Sequence, residues 1–271
     1  MNDISKVLQK NYKKSVCSFI PFITAGYPNI NLTLKIIKEL DHQGADAIEL
    51  GVPYSDALAD GNLIQEASKV AINNGVSLDK VLFILKKIHS QINAPIIIFS
   101  YYNPILARGV KSFITDIACF NVKGLIIPDL PLEEADYIIH LCQLSKIELI
   151  FFISPTSSNN RINKIIKKSP GCLYLVSSTG VTGIRDSIDT NISEISDRIL
   201  VYSNKMVMLG FGISKPDHIN SIIKSNKNIH GIVVGSAFTK ILSNHVNNEN
   251  IDIVKEIGCF CSQMKSATFI E

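Results

Sequence analysis

The sequence predicts a single-domain (β/α)8 TIM barrel, in which eight parallel strands close into a cylinder surrounded by helices. Apolar runs of strand length alternate about eight times with longer amphipathic segments, the pattern of repeated βα units. Most runs are apolar at every position, as expected when both faces of a parallel strand are covered. Glycine-bearing turns after the last two runs favour closure over the alternative, an open doubly wound sheet with the same alternation.

Each predicted element follows from its local pattern. The predicted strands are the apolar runs Ser18–Thr24, Ala47–Leu50, Pro95–Ser100, Gly124–Ile127, Glu148–Ile153, Leu173–Ser177, Val207–Gly210 and Gly231–Val234. The predicted helices, where apolar residues recur at helical spacing, are Leu32–Leu40, Leu63–Ile72, Leu78–Ile88, Val110–Phe120, Glu133–Leu144, Arg161–Lys167, Ile188–Tyr202 and Pro216–Ile223.

The two ends of the chain add further helices to this pattern. Met1–Lys14 has helical spacing through Ile4, Val7 and Leu8, so we expect an extra N-terminal helix that plugs the N-terminal end of the barrel. A final helix is expected after about Asn244. No linker rich in Pro, Gly or Ser and no low-complexity segment divides residues 1–271, so we expect one domain.

Composition excludes several classes of protein. Apolar residues make up 46% of the 271 residues and charged residues 19%, which is enough for a large core. The net charge is only +3 and the lysines are scattered, so no nucleic-acid partner is expected. No signal peptide and no long apolar span occurs, which predicts a cytoplasmic protein outside the membrane. The six cysteines form no C-x-x-C pair, so reduced core thiols are expected rather than a metal or redox site.

The turn after the second strand carries two acids. From Ala47 the chain reads AIELGVPYSDALADG, which places Glu49 within the strand and Asp60 on the following loop. A carboxylate at the C-terminal end of a barrel strand can project into the mouth of the barrel, where burial raises its pKa towards values useful for proton transfer. Two acids in different environments can divide acid and base chemistry. A salt bridge for Glu49, and a helix cap for Asp60 before the helical run, remain the alternatives.

Three glycine-bearing turns follow the sixth, seventh and eighth strands, at Ser178–Gly183, Gly210–Ser214 and Gly235–Ala237. Glycines in the last two turns let backbone N–H groups approach an anion, and a helix that begins at Gly235-Ser236 would point its positive end at that anion. Ser236 could bind the anion or cap the helix. A phosphate ligand is therefore predicted, with ordinary strand-to-helix turns as the alternative. The first turn opens a long loop, Ser178–Ser187, whose glycines would let it close as a lid.

The segment ELGVPYSDALADG resembles the signature of the tryptophan synthase alpha chain family, which has the form E-L-G-x-P-[FY]-S-D-P-x-A-D-G. The segments GFGIS and VGSA, and the pattern F-x-x-A-G-x-P at Phe22–Pro28, are also similar to the family and occur in the same order. Ala57 and Asn62 stand where the family usually has proline. We expect these two changes to loosen the loop, because proline restricts the backbone.

The resemblance implies a lyase that performs the reversible retro-aldol cleavage of indole-3-glycerol phosphate to indole and glyceraldehyde 3-phosphate. It implies that Glu49 and Asp60 are the catalytic pair, and that Thr182 lies on a lid that helps to position Asp60. The implied phosphate site consists of Gly183, Phe211, Gly212, Gly235 and Ser236. The expected indole pocket consists of Phe22, Phe99, Ile126 and Tyr174, although such residues at strand ends are also common in ordinary cores.

The resemblance also implies a partner. Family members work as an αββα assembly, in which a β subunit with pyridoxal phosphate receives the indole; no metal or organic cofactor is expected on this chain. A degraded barrel kept as an activator of the β subunit is one alternative. Another is a different phosphate-binding barrel enzyme, such as an isomerase or indole-glycerol-phosphate synthase. The latter relies on a catalytic lysine near a strand end, which none of the predicted strands offers.

Overall fold

A computed structural model describes residues 3–176, 192–210, 212–245 and 252–270. Its eight strands form a closed barrel in sequence order, and each strand is parallel to its neighbours. The strands are β1 (Ser18–Thr24), β2 (Ile48–Gly51), β3 (Ile96–Phe99), β4 (Val122–Ile126), β5 (Glu148–Ile153), β6 (Leu173–Val176), β7 (Val207–Gly210) and β8 (Gly231–Val234). Because β1 pairs with β8 from Ser18 to Pro21, the sheet has no open edge there, and the prediction of a closed barrel is confirmed.

Helices surround this barrel in the described residues. They are α1 (Asp3–Tyr12), α2 (Ile30–His42), α3 (Asn62–Asn73), α4 (Leu78–Ile88), α5 (Tyr102–Arg108), α6 (Val110–Cys119), α7 (Asp136–Leu144), α8 (Asn159–Lys168), α9 (Ile192–Leu200), α10 (Pro216–Ser225), α11 (Ser236–His245) and α12 (Ile253–Ser266). Side-chain oxygens of Asn29, Ser158 and Asp252 accept backbone hydrogen bonds at the starts of α2, α8 and α12, which satisfies donors that a helix leaves free.

The observed helices differ from the predicted ones in two places. No helix was predicted over α5, which follows β3 and is separated from α6 by Gly109 at φ +91°. A non-glycine residue rarely adopts this φ, so the glycine ends α5 and lets the chain turn into α6. The predicted helix Glu133–Leu144 begins instead as a short 3-10 turn, Leu132–Glu134, before α7. The first residues of the predicted helix Ile188–Tyr202 lie outside the described residues.

The apolar core has two layers. Side chains on the outer faces of the strands pack against the inner faces of the helices, and this layer contains Phe19, Ile48, Ile98 and Phe113. A second cluster fills the lumen of the barrel and contains the alternate strand residues Ile20, Ile97, Ile150 and Met208. This alternation explains why the strands are apolar at every position: one face meets the helices and the other meets the lumen.

Helix α1 closes the N-terminal end of the barrel, as the sequence predicts. Ile4 and Leu8 are buried and belong to the lumen cluster. The fully buried carboxylate of Glu148, at the start of β5, accepts hydrogen bonds from the backbone N–H of Ser5 at 3.1 Å and from Ser5 Oγ at 2.5 Å. It also accepts one from the backbone N–H of Cys172. The barrel floor thus supplies an acceptor for a first-turn N–H that has no partner within its own helix.

Candidate active site

A pocket lies at the C-terminal ends of the strands, at the mouth of the barrel opposite α1. Its lining residues are Phe22, Glu49, Asp60, Ile64, Phe99, Tyr174, Gly212, Ile213, Val233, Gly235 and Ser236. The lining comes from both halves of the barrel, because Glu49 stands on β2 while Gly235 follows β8. The acids and the glycine turns, which are far apart in sequence, therefore face one space.

Glu49 is placed by its strand. Its Cα pairs with Phe22 on β1 and Ile97 on β3, and its side chain is only 2% exposed. Burial first, and then the negative charge of Asp60, raise the pKa of Glu49 to about 8. The buried atom Oε2 has no hydrogen-bond partner, and no ion pair joins Glu49 to a cation of the described residues. Within the described residues Glu49 therefore forms no salt bridge, which argues against that alternative, and one of its carboxyl oxygens is buried there without a partner.

Asp60 is placed by the loop Val52–Gly61 between β2 and α3, which we call the acid loop. Its side chain is 6% exposed. Burial raises the pKa of Asp60 to about 7, although the hydrogen bond from Tyr101 opposes that rise. Helix α3 starts at Asn62 with Gly61 as its N-cap. The Asp60 carboxylate instead accepts a hydrogen bond from Tyr101 Oη at 3.2 Å. The capping interpretation of Asp60 is therefore wrong.

Tyr101 is a site residue that the sequence analysis missed. It follows β3, is 4% exposed, donates its hydroxyl hydrogen to Asp60 Oδ2 and accepts the backbone N–H of Ala59 at 2.9 Å. Its ring packs against Tyr54 of the acid loop, with the ring centroids 5.1 Å apart. The sequence shows Tyr101 as an aromatic residue just after a predicted strand. Hydrophobic periodicity, however, does not indicate the direction in which a side chain at such a position points. Ile64, Ile213 and Val233, which also line the pocket, were missed for the same reason.

The glycine turns bring backbone close to the apolar wall of the pocket. A Cβ atom on Gly235 would lie 3.0 Å from Phe22 Cδ1, and one on Gly210 would lie 2.1 Å from Tyr174 Oη. Gly212 has φ +80°, a conformation that favours glycine. Helix α11 begins at Ser236, so its first N–H groups lack partners within the helix. This combination of close backbone and a helix N-terminus suits an anionic group.

Comparison with known proteins identifies the family. The family model described as "Tryptophan synthase alpha chain" matches residues 8–269. The chain belongs to the tryptophan synthase alpha chain family.

Curated members of the tryptophan synthase alpha chain family match over the whole length. The chain is 55% identical to the tryptophan synthase alpha chain of Gracilaria tenuistipitata var. liui, over 98% of this chain and 96% of that protein. It is 54% identical to that of Antithamnion sp., over 100% of both. Among solved structures, Mycobacterium tuberculosis tryptophan synthase matches with TM-score 0.90 and 26% identity, covering 100% of this chain and 99% of that chain. The alpha subunit of Legionella pneumophila str. Paris matches with TM-score 0.86 and 30% identity, covering 99% and 98%.

The structure describes only some of the site residues that the family resemblance implies. Gly183, Phe211 and the lid residue Thr182 lie outside the described residues. Gly212, Gly235 and Ser236 of the predicted phosphate site line the pocket. Phe22, Phe99 and Tyr174 of the predicted indole pocket also line it.

Ile126 does not belong to this lining. It is fully buried in the lumen cluster, at the end of β4, and is not among the residues that face the open space. Phe152, on the neighbouring β5, packs edge-on against Tyr174 with the ring centroids 4.8 Å apart. The expectation for Ile126 is corrected accordingly: it lies at a strand end as predicted, but it is fully buried in the lumen and does not line the pocket.

The described ranges offer neither a metal-binding cluster nor a membrane-spanning helix. No group of three or more His, Cys, Asp or Glu side chains there could hold a metal ion. No helix in those ranges is both long and apolar enough to cross a bilayer. Four of the six cysteines are buried free thiols, and Cys119 and Cys259 are exposed free thiols.

Proposed function

We propose that this chain catalyses the reversible retro-aldol cleavage of indole-3-glycerol phosphate to indole and glyceraldehyde 3-phosphate in the pocket between Glu49 and Asp60. Its family membership makes it an alpha subunit and a lyase of tryptophan biosynthesis. The single observation that supports the proposed chemistry is that two buried carboxyl groups with raised pKa values line one pocket with the glycine turns.

The raised pKa of Glu49 suits a role as proton donor, which differs from the role proposed for Asp60. At neutral pH a carboxyl group with a pKa of about 8 is mostly protonated, so Glu49 can donate a proton to the ring carbon that carries the glycerol chain. Protonation lets the ring leave with the electron pair of the carbon–carbon bond. The Glu49 carboxylate then takes the proton of the adjacent glycerol hydroxyl as its carbonyl forms. Glu49 thus ends in the protonation state in which it began.

Asp60 has a different proposed role. Its carboxylate, with a pKa of about 7, accepts the hydrogen bond of the indole N–H and stabilises the positive charge that ring protonation creates. Phe22, Phe99 and Tyr174 supply the apolar walls for the ring. Gly212, Gly235 and Ser236 hold the phosphate, together with Gly183 and Phe211 as the resemblance implies. Binding energy at the phosphate then orients the distant reacting bond.

The proposed assembly is an α2β2 tetramer. The family name implies a β subunit partner, and the M. tuberculosis relative is a tryptophan synthase. In the proposed assembly, indole passes to a pyridoxal phosphate cofactor on the β subunit, and this chain carries no cofactor of its own. The exposed Leu58 of the acid loop would lie at the surface next to that partner. A cytoplasmic location stays a prediction from the sequence.

The test is the substitution Glu49→Gln, which keeps the shape of the side chain but replaces the carboxyl group by an amide that cannot act as an acid or a base. We expect indole release to fall at least about a thousandfold while substrate still binds, because proton transfer by a placed group contributes about 10²–10⁴-fold and Glu49 serves two transfers. Glu66→Gln, on an exposed face of α3, is the matched control and should keep normal turnover. Near-normal turnover in purified Glu49→Gln would show that the proposed chemistry is wrong.

A further inference from the structure

Ala57 in the acid loop and Asn62 at the start of α3 stand where the resemblance implies two prolines, yet hydrogen bonds hold the loop closely. Ala57 is 3% exposed, and the backbone N–H of Asp60 donates to Ala57 O at 3.1 Å, which closes a tight turn over residues 57–60. The backbone N–H of Leu58 donates to Asp56 O at 2.8 Å. Ala57 and Asn62 are expected to make the backbone of this loop less restricted. Contacts from residues outside the loop would oppose that effect.

Gln65, on the first turn of α3, makes two such contacts. Its Nε2 donates to Asp60 O at 2.8 Å and to Ala57 O at 3.1 Å. A primary amide nitrogen carries two hydrogens, so one group can serve both carbonyls at once. The two acceptors are the first and last residues of the turn that carries Asp60. Ile64, the residue before Gln65, lines the pocket. The start of α3 is thus tied to both the pocket wall and the acid loop.

We propose that Gln65 is a positioning residue for the reaction, which fixes the backbone of Asp60 so that its carboxylate faces the pocket. This inference rests on the proposed function, because it assigns to Gln65 an effect that acts through Asp60. Tyr101 holds the side chain of Asp60 and Gln65 holds its backbone, so the carboxylate is restrained from two sides. These restraints place the reacting group. The turn over residues 57–60 contains no proline and does not provide such restraint by itself.

The side chain at this position needs hydrogens to donate. A glutamate has the same shape but no hydrogen to give, and its charge would face two carbonyl oxygens. A methionine has similar length but neither donor nor charge. Each of these residues would leave the carbonyls of Ala57 and Asp60 without their side-chain donor, and the turn would be held only by its own backbone bond.

The experiment measures steady-state indole release by Gln65→Met in the full chain with saturating β subunit, from about pH 5.5 to 9. We expect kcat to fall about tenfold and KM to change less than about twofold, because two half-buried hydrogen bonds are lost and the phosphate site is untouched. We also expect the acidic limb of the kcat profile to move to lower pH. A loosened loop lets water reach Asp60, and the burial that raises its pKa is reduced.

Gln43→Met is the matched control. Gln43 is also half-buried and follows the last residue of α2, and its Nε2 donates to Glu39 Oε1 at 2.7 Å, away from the pocket lining. It should keep both kcat and the profile. If Gln65→Met fails to fold, as judged by circular dichroism, Gln65→Glu replaces it and should show the same loss of kcat.

Two results would overturn the inference. One is a kcat for the Gln65 variant within twofold of the unmodified chain. The other is an unchanged acidic limb, because a merely structural effect lowers the amount of active enzyme without moving that limb. Asp60→Asn separates this failure from failure of the proposed function. If Asp60→Asn loses activity and Gln65→Met does not, only the role of Gln65 is wrong; if Asp60→Asn keeps normal turnover, the proposed role of Asp60 is wrong as well.

Discussion

At the scale of single residues, burial is the first cause of the raised pKa values of both acids. Glu49 and Asp60 lie among apolar and aromatic side chains, and desolvation disfavours their charged forms. The charge of Asp60 adds to the effect on Glu49, while the Tyr101 hydroxyl opposes burial at Asp60. Two carboxyl groups in one pocket therefore titrate differently, which is what a division into proton donor and hydrogen-bond acceptor requires.

The raised pKa of Glu49 makes stability depend on pH. The folded protein keeps the proton up to about pH 8, whereas the unfolded chain loses it near 4.5. Stability contributed by the neutral carboxyl is thus present below pH 4.5 and is lost as pH rises through 8. We expect Glu49→Gln, which stays neutral, to become more stable relative to the unmodified chain by a few kcal/mol between about pH 5 and 9.

Urea unfolding at several pH values measures this difference in the free energy of unfolding. Glu66→Gln, at an exposed position, should follow the unmodified chain at every pH. A difference between Glu49→Gln and the unmodified chain that does not change with pH would contradict burial as the cause.

At the scale of elements, α1 acts as the floor of the barrel. A barrel of eight strands has an interior that side chains must fill, and here two apolar residues of α1 complete that filling from below. Leu8 approaches the start of β8 so closely that a Cβ atom on Gly231 would lie 2.8 Å from Leu8 Cδ2. Glycine at the start of this strand therefore makes room for the plug.

We expect Leu8→Ala to lower the free energy of unfolding by about 2–5 kcal/mol, because the lost side chain leaves a cavity in a closed lumen. Leu144→Ala, where the side chain at the end of α7 is 70% exposed, is the matched control and should change the free energy by less than about 0.5 kcal/mol. Denaturant unfolding of both variants measures the difference. Equal losses would mean that α1 does not fill the barrel.

At the scale of the whole molecule, both ends of the chain pack on the same barrel. Val16 pairs with Phe269 in an antiparallel bridge, and the backbone N–H of Cys17 donates to Thr268 O at 2.9 Å. Helix α12 packs against α2. We propose on these contacts that residues 1–271 form one domain, as the sequence predicts.

An ion pair joins the last helix to the barrel. Lys265 Nζ lies 2.5 Å from Asp46 Oδ2, both side chains are less than one fifth exposed, and Asp46 also accepts the backbone N–H of Phe19 at 2.7 Å. We expect Lys265→Met to cost about 1–3 kcal/mol of unfolding free energy, because it leaves the Asp46 charge without its cation.

Lys6→Met is the control for this ion pair. Lys6 pairs with Asp3 on the surface, where its side chain is 60% exposed, so its loss should cost less than about 1 kcal/mol. Thermal and urea unfolding compare the two variants. A cost for Lys265→Met no larger than that for Lys6→Met would show that α12 is held by its apolar face alone.

The sequence by itself determined the barrel, its plug, and the position of Glu49. Repeated apolar runs specify parallel strands, and a charged residue inside one such run is conspicuous because the rest of the run is buried. Glu49 could therefore be predicted from local pattern. The same pattern placed Ile126 at a strand end, but it could not say that this side chain is buried in the lumen outside the pocket lining.

Only the tertiary structure decided what surrounds the acids. Tyr101 reaches Asp60 from just after β3, and Gln65 reaches it from α3. Their roles depend on side-chain directions that sequence spacing does not encode. The physical reason is that hydrogen bonds to a loop act over short distances between segments that the fold brings together, whereas a strand dictates its own side-chain alternation. The position of Glu49 could therefore be predicted from the sequence, whereas the hydrogen bonds that restrain Asp60 could not.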